Sequence, residues 1–349
     1  MKKIFLNFSL CLVLISCSIS HNVPASQQPN NTVKPNIINA FVDQNGSFYP
    51  DQWKTSYGGP PKNSKKNEYS LKKRSIELGI EQQLQEFQKA NLKRVSSQVS
   101  PKKRVFIMIH GFNAPYAETT VIYDQIIAQL NANSSTDEMI KFYWDGLYSN
   151  SLFGGMKNWF PAASFSQTAG DLGLRGILNT IQGKDIYIIS HSRGASVVLS
   201  ALKSPPFKES FVEETKEAHD IDLNATAPLK ENGNRITAIM LAPAVGKIDF
   251  QEQTAVKDSM AFMRFSPQLK KMHITINNTD NMLKKVVGFL SKKLTPTNLG
   301  YNDDLYKELN IQYDFLEKTD FSGMKSHEFK RYIKNPKFKG ILKEYKLNK

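Results

Sequence analysis

The chain of 349 residues has only two cysteines, Cys11 and Cys17, both near its amino terminus. Everything after them is therefore barred from a disulfide framework or a cysteine-built metal site. Beyond residue 16 no run of about eighteen apolar residues occurs, so no later segment is suited to cross a bilayer as a helix. Short internal repeats are missing, which sets aside solenoids and propellers. Acidic residues are scarce: 32 Asp and Glu stand against 46 Lys and Arg, a net charge of +14. The excess is local, with twelve Lys or Arg against four Glu in residues 62–104 and nine against two in 325–349. Such surfaces suit anionic headgroups or other polyanions, and serve equally as plain solvated faces. No nucleic-acid-binding motif accompanies them, so nucleic acid is not among the expected partners.

What is present begins with Met1-Lys2-Lys3 and an apolar run to Ile15, the pattern of a secretory leader over residues 1–16. Leu14-Ile15-Ser16-Cys17 resembles the bacterial lipobox, which implies that Cys17 is diacylated at sulfur and becomes the first mature residue. Two acyl chains on one residue give stable anchoring without a span. By the sorting rule this resemblance implies, Ser18 favours the outer membrane of a double-membraned bacterium; an ordinary leader with an incidental cysteine is the alternative. Residues 17–46, rich in Asn, Pro, Ser and Gln, read as a flexible tether. Residues 47–103 read as an extension with a helix at 71–92, and 104–349 as one α/β domain.

Within that domain, short apolar runs at 105–109, 140–144, 186–189, 236–241, 274–276 and 311–316 alternate with helical spacings, as at 117–130 and 169–181. This alternation predicts an α/β fold, a mostly parallel sheet with helices on both faces. Residues 203–234 break the rhythm with Pro205-Pro206 and five Glu, and are expected to form an insertion or cap over the site.

The run at 186–189 ends in Ser190-His191-Ser192-Arg193-Gly194 and continues as an apolar helix. Strand, sharp turn and helix with Ser192 at the apex are the layout of a nucleophile elbow, except that Ser190 stands where the G-x-S-x-G pattern has its first glycine. A serine hydroxyl needs an imidazole to take its proton, and the imidazole needs a carboxylate to fix its tautomer. In open α/β sheets such groups lie just beyond the carboxyl ends of strands. Of six histidines, His327 alone follows every plausible acid and lies in a terminal loop, as the order Ser, Asp, His requires. The acid is read as Asp280, which lies closer to the end of its run at 274–276, with Asp249, after the run at 236–241, as its rival. Backbone N–H groups for the developing oxyanion are expected from Arg193 and from the loop His110-Gly111-Phe112-Asn113, with Phe112 or else Asn113 as donor. Phe112, Tyr143, Trp144, Phe153, Trp159 and Phe160 are candidates for an acyl pocket, or for core packing.

The run 105–113, Phe142-Tyr143-Trp144-Asp145-Gly146, the elbow, Asp280 and His327 together resemble the α/β-hydrolase family, and within it bacterial serine esterases and lipase-like proteins, over residues 104–335. The resemblance implies a Ser-Asp-His triad, an acyl-enzyme, and neither metal nor organic cofactor. The expected activity is hydrolysis of carboxylic esters, lipids or acylated envelope molecules, at a membrane. Amide hydrolysis or acyl transfer by the same triad, and a non-catalytic envelope-binding lipoprotein on the same fold, are the competing readings.

Overall fold

Contiguous β-branched runs are what strands buried on both faces require, and they form the centre of the sheet. The computed structural model describes residues 20–30, 34–60, 69–149, 152–203, 229–253, 260–287 and 298–348. Its strands are β1 (Ile37–Phe41), β2 (Arg104–Ile109), β3 (Asp137–Tyr143), β4 (Asp185–His191), β5 (Arg235–Leu241), β6 (Gln251–Gln253), β7 (Met260–Phe262), β8 (Leu269–Ile276) and β9 (Leu316–Asp320). Seven of them make one sheet in the order β1-β3-β2-β4-β5-β8-β9, and every neighbouring pair is parallel. Strands β6 and β7 form a separate antiparallel pair.

Alternate residues of the strands feed two hydrophobic layers. Val105, Ile107 and Ile109 face one, with Val95 and Val99 of α3 (Glu81–Val99) and Val197 and Val198 of α7 (Gly194–Leu202). Phe106 and Met108 face the other, with Tyr123 and Ile126 of α4 (Tyr116–Gln129) and Phe338 and Ile341 of the last helix, Pro336–Glu344. Each fully buried side chain of this size contributes about 1.5–3 kcal/mol, so the sheet is held from both sides. All seven strands point the same way. Their carboxyl ends therefore share one edge, which carries the loops of interest.

Three expectations change. The segment 17–46 is not a free tether: Ile37, Ile38 and Phe41 build β1 at the sheet edge against β3. Ahead of it Ser20 bridges Tyr148, His21 Nδ1 meets Asp145 Oδ2 at 2.5 Å, and Asn22 N–H donates to Asp145 Oδ1 at 2.9 Å. Secondly, residues 47–103 are not a separate extension. Trp53, Tyr57, Leu71 and Leu84 are buried in the same cores as the strands, and the expected helix at 71–92 is two, Leu71–Leu78 and α3, broken where Gly79 adopts φ +66°. Thirdly, the run at 311–316 is a strand only at Leu316, where β9 begins. Asn302 caps a helix, Asp303–Gln312, that leaves Ile311 exposed, and the strand follows as β9.

Residues 1–19, with the leader and Cys17, lie outside the described residues, as do 204–228 of the expected cap. The flanks of that insertion are described. Lys203 bridges Phe265 and Asn232 bonds Ile181 O, both at the edge of the sheet opposite Ser192.

Candidate active site

Strand β4 ends at His191, and Ser192 takes φ +52°, a left-handed conformation that costs a non-glycine residue roughly 1–2 kcal/mol. Surrounding bonds hold it there: Ser192 N–H donates to Leu241 O at 2.9 Å, and its carbonyl accepts from Ala244 N–H and Ala195 N–H, each at 3.1 Å. Helix α7 starts at Gly194, where a Cβ would lie 2.5 Å from His110 O, so only glycine fits. Ser190 needs no such freedom. It sits inside β4 paired with Ile109 and Met240, away from the positive-φ turn, which is why serine is tolerated there. Its buried hydroxyl has no hydrogen-bond partner among the described residues.

Three side chains from three strand ends meet at this turn. Ser192 Oγ–H donates to His327 Nε2 at 2.8 Å, and His327 Nδ1–H donates to Asp280 Oδ2 at 2.7 Å. Asp280 is fully buried, Ser192 nearly so, and the His327 side chain is 16% exposed, the one member open to water. Burial alone would raise the Asp280 carboxyl. The bond and charge of His327, the Leu283 N–H and the Tyr332 hydroxyl outweigh it, and Asp280 titrates below the usual carboxylate range. The loop of Asp280 contributes further: Met282 and Leu283 N–H donate to Oδ1 at 3.0 and 3.1 Å. Tyr332, which accepts from Asn277 Nδ2 at 3.0 Å, donates to Oδ2 at 3.2 Å.

Asp249 takes no part in this chain. Its Oδ2 accepts from Gly246 N–H at 2.8 Å and its Oδ1 lies 3.5 Å from Arg193 Nη2, so it caps its own turn and neutralises the arginine beside the elbow. Asn113 is likewise committed. Its N–H donates to Gly146 O at 3.0 Å, and its Oδ1 accepts from Ser149 N–H at 2.7 Å. The N–H groups of Phe112 and Arg193, by contrast, have no acceptor among the described residues. The loop before Phe112 is tight against the elbow, since a Cβ on Gly111 would fall 2.8 Å from Ser192 Cβ.

The aromatic candidates divide. Tyr143 stacks on Phe41 at 4.3 Å, and Trp144 donates from Nε1 to His110 O at 2.8 Å, so both are core. Phe112 packs edge-on against Trp159 at 4.9 Å, and the Arg193 guanidinium lies over Trp159. The side chains of Phe153 and Phe160 lie outside the described residues.

Two supporting residues carry no sign of their role in the sequence. Tyr332 sits in a helix, Phe329–Lys334, that carries no motif, and only its packing beneath Asp280 reveals it. His191 donates from Nε2 to the His327 carbonyl at 2.8 Å and stacks on Phe329 at 4.7 Å. Burial, with His327 nearby, pushes its imidazole well below the ordinary histidine range, so it is neutral. His110 is also neutral. Burial lowers it to about 4, its Nδ1–H donates to Gly111 O, and Nε2 accepts from Trp144 N–H.

Set against known proteins, residues 85–331 match the sequence model of a family described as alpha/beta hydrolase of unknown function (DUF900). No curated protein matches the chain. Among solved structures it is similar to the apo form of Thermogutta terrifontis esterase 2, at 11% identity and a TM-score of 0.29 over 70% of this chain and 82% of that one.

Proposed function

The chain belongs to this α/β-hydrolase family, and from that premise we propose that it is a membrane-anchored serine esterase with Ser192, His327 and Asp280 as its triad. The observation that carries the reading is the unbroken hydrogen-bond chain from Ser192 Oγ through His327 to Asp280. His327 Nε2 takes the serine proton as Oγ attacks the ester carbonyl, and Asp280 stabilises the imidazolium that forms. The tetrahedral oxyanion is received by the Phe112 and Arg193 N–H groups, each such donor contributing about 10²–10³ in rate. His327 then gives the proton to the leaving alcohol, which departs and leaves an acyl group on Ser192. Water, deprotonated by the same imidazole, releases the acid and restores the serine.

Phe112 and Trp159 furnish apolar surface beside the oxyanion loop, suited to the acyl chain. Acylation of Cys17 holds the enzyme at the envelope membrane and makes acylated lipids or envelope esters its substrates. The test is labelling of the intact protein by a fluorophosphonate, with a p-nitrophenyl ester series run beside peptide substrates. Labelling that Ser192→Ala abolishes, with turnover of esters over peptides, is the expected result. Failure of the intact protein to label sinks the proposal.

A further inference from the structure

We propose that the carboxyl edge of the sheet, with Ser192 at its centre, is the face that lies against an anionic bilayer. This reading rests on the anchoring at Cys17 proposed above. Two independent features define the face. The first is where the amino-terminal segment is fixed. Ser20 exchanges two backbone bonds with Tyr148, at 2.9 and 2.8 Å, His21 and Asn22 bond Asp145, and Asn22 Nδ2 donates to Ala114 O at 3.1 Å. Residues 145–148 follow β3 and Ala114 follows β2, so the segment is pinned on the same edge as Ser192. Three residue steps lead from Cys17 to Ser20, a span of at most about 11 Å however they are arranged. A domain of this size has a radius of gyration near 20 Å. The acylated residue therefore cannot reach a bilayer while this edge is turned away from it.

The second feature is charge. Between residues 321 and 337 there are five Lys or Arg and one acid, Glu328. Lys325 and Lys330 flank His327 and are exposed, and exposed Lys337 bonds from Nζ to the carbonyl of Asp320, the last residue of β9. Met282, two residues beyond Asp280, adds an exposed apolar side chain on the same edge. In the sheet order, β4 stands between β3, where the segment is pinned, and β9, where the cations begin. These ends are five strand steps apart, about 24 Å, and Ser192 lies between them. A body held at one end by acyl chains and drawn at the other by anionic headgroups presents the edge between to the lipid. Charge complementarity selects an anionic bilayer.

The experiment uses the full lipidated chain in vesicles of phosphatidylethanolamine and phosphatidylglycerol. With Cys17 consumed by lipid, an introduced cysteine is the only thiol, so Lys330→Cys and Lys103→Cys each take one fluorophore. Lys103 precedes β2 on the opposite edge and is exposed. Lipid-borne quenchers are expected to quench the probe at 330 and spare the probe at 103, and the difference is expected to shrink in phosphatidylcholine vesicles. Equal quenching at both positions, or stronger quenching at 103, overturns the orientation. Mass spectrometry of the amino-terminal peptide separates the two failures: an unmodified Cys17 overturns the anchored reading and this one with it, whereas a lipidated Cys17 with equal quenching overturns this one alone.

Discussion

Two loops at the carboxyl edge invite comparison, the one after β5 with Asp249 and the one after β8 with Asp280. Each aspartate follows a strand, and each accepts backbone N–H bonds from its own turn. They differ in what the neighbouring strand delivers. Strand β8 lies beside β9, whose exit loop brings His327 to Asp280 at 2.7 Å. The loop after β5 packs by the start of α7, where Arg193 reaches Asp249. Local geometry makes either residue a good acceptor. The partner that arrives across the sheet decides which one meets an imidazole.

Exchanging the two acids breaks the comparison most sharply. Asp280→Asn is expected to lower kcat by about 10⁴, because the imidazole loses the group that fixes its tautomer. Asp249→Asn is expected to leave ester turnover within about tenfold and to cost roughly 1–2 kcal/mol in urea denaturation, since Arg193 keeps Ser166 Oγ and Ala244 O as acceptors. The reverse pattern would transfer the acid role to Asp249. Next comes Tyr332→Phe, which removes one bond to Asp280 Oδ2. A loss of kcat of about ten- to hundredfold is expected, with KM for a short ester unchanged, as a hydrogen bond to an ionised carboxylate is worth about 1.5–3 kcal/mol. An unchanged kcat would remove Tyr332 as a positioning residue.

Acid titration sharpens the same contrast. Asp280 titrates lower folded than unfolded, so its ionised form stabilises the fold above the unfolded value near 3.9, and this contribution is lost as pH falls through the folded value. The stability difference between wild type and Asp280→Asn should therefore hold steady above about pH 5 and shift against wild type at lower pH. A pH-independent difference would contradict the ionised, hydrogen-bonded carboxylate. The smallest effect is expected at Ser190, whose hydroxyl bonds nothing among the described residues and touches neither acid loop. Ser190→Ala should keep activity and match or exceed wild-type stability by up to about 1 kcal/mol, setting the baseline for an ordinary change at the elbow.

Central strands were readable in the residues because burial on two faces demands unbroken apolar runs, as in β2 and β5. Edge strands were not. β1 is a five-residue run inside a polar stretch, and β9 carries Glu317, Lys318 and Asp320 on a half-exposed edge, while the more apolar residues 311–315 just before it belong to a helix end and turn. In the site, Ser192 and His327 followed from chemistry and chain order. Asp280 lies nearer its strand end than Asp249, which favours it, but which of the two meets His327 is set by which strands are neighbours, a property of the sheet order that no local pattern encodes. Tyr332 and the pinning of His21 on Asp145 are long-range contacts of the same kind, separated by 52 and 124 positions from their partners.

Strand β1 has one more consequence. Residues 85–331, the part the family shares, begin after β1 and end before the last helix. A fragment cut to those limits would leave the whole outer rim of β3 with unpaired N–H and C=O groups, a ready template for a strand from another molecule. The five residues Ile37–Phe41 thus pair the edge that β3 would otherwise expose.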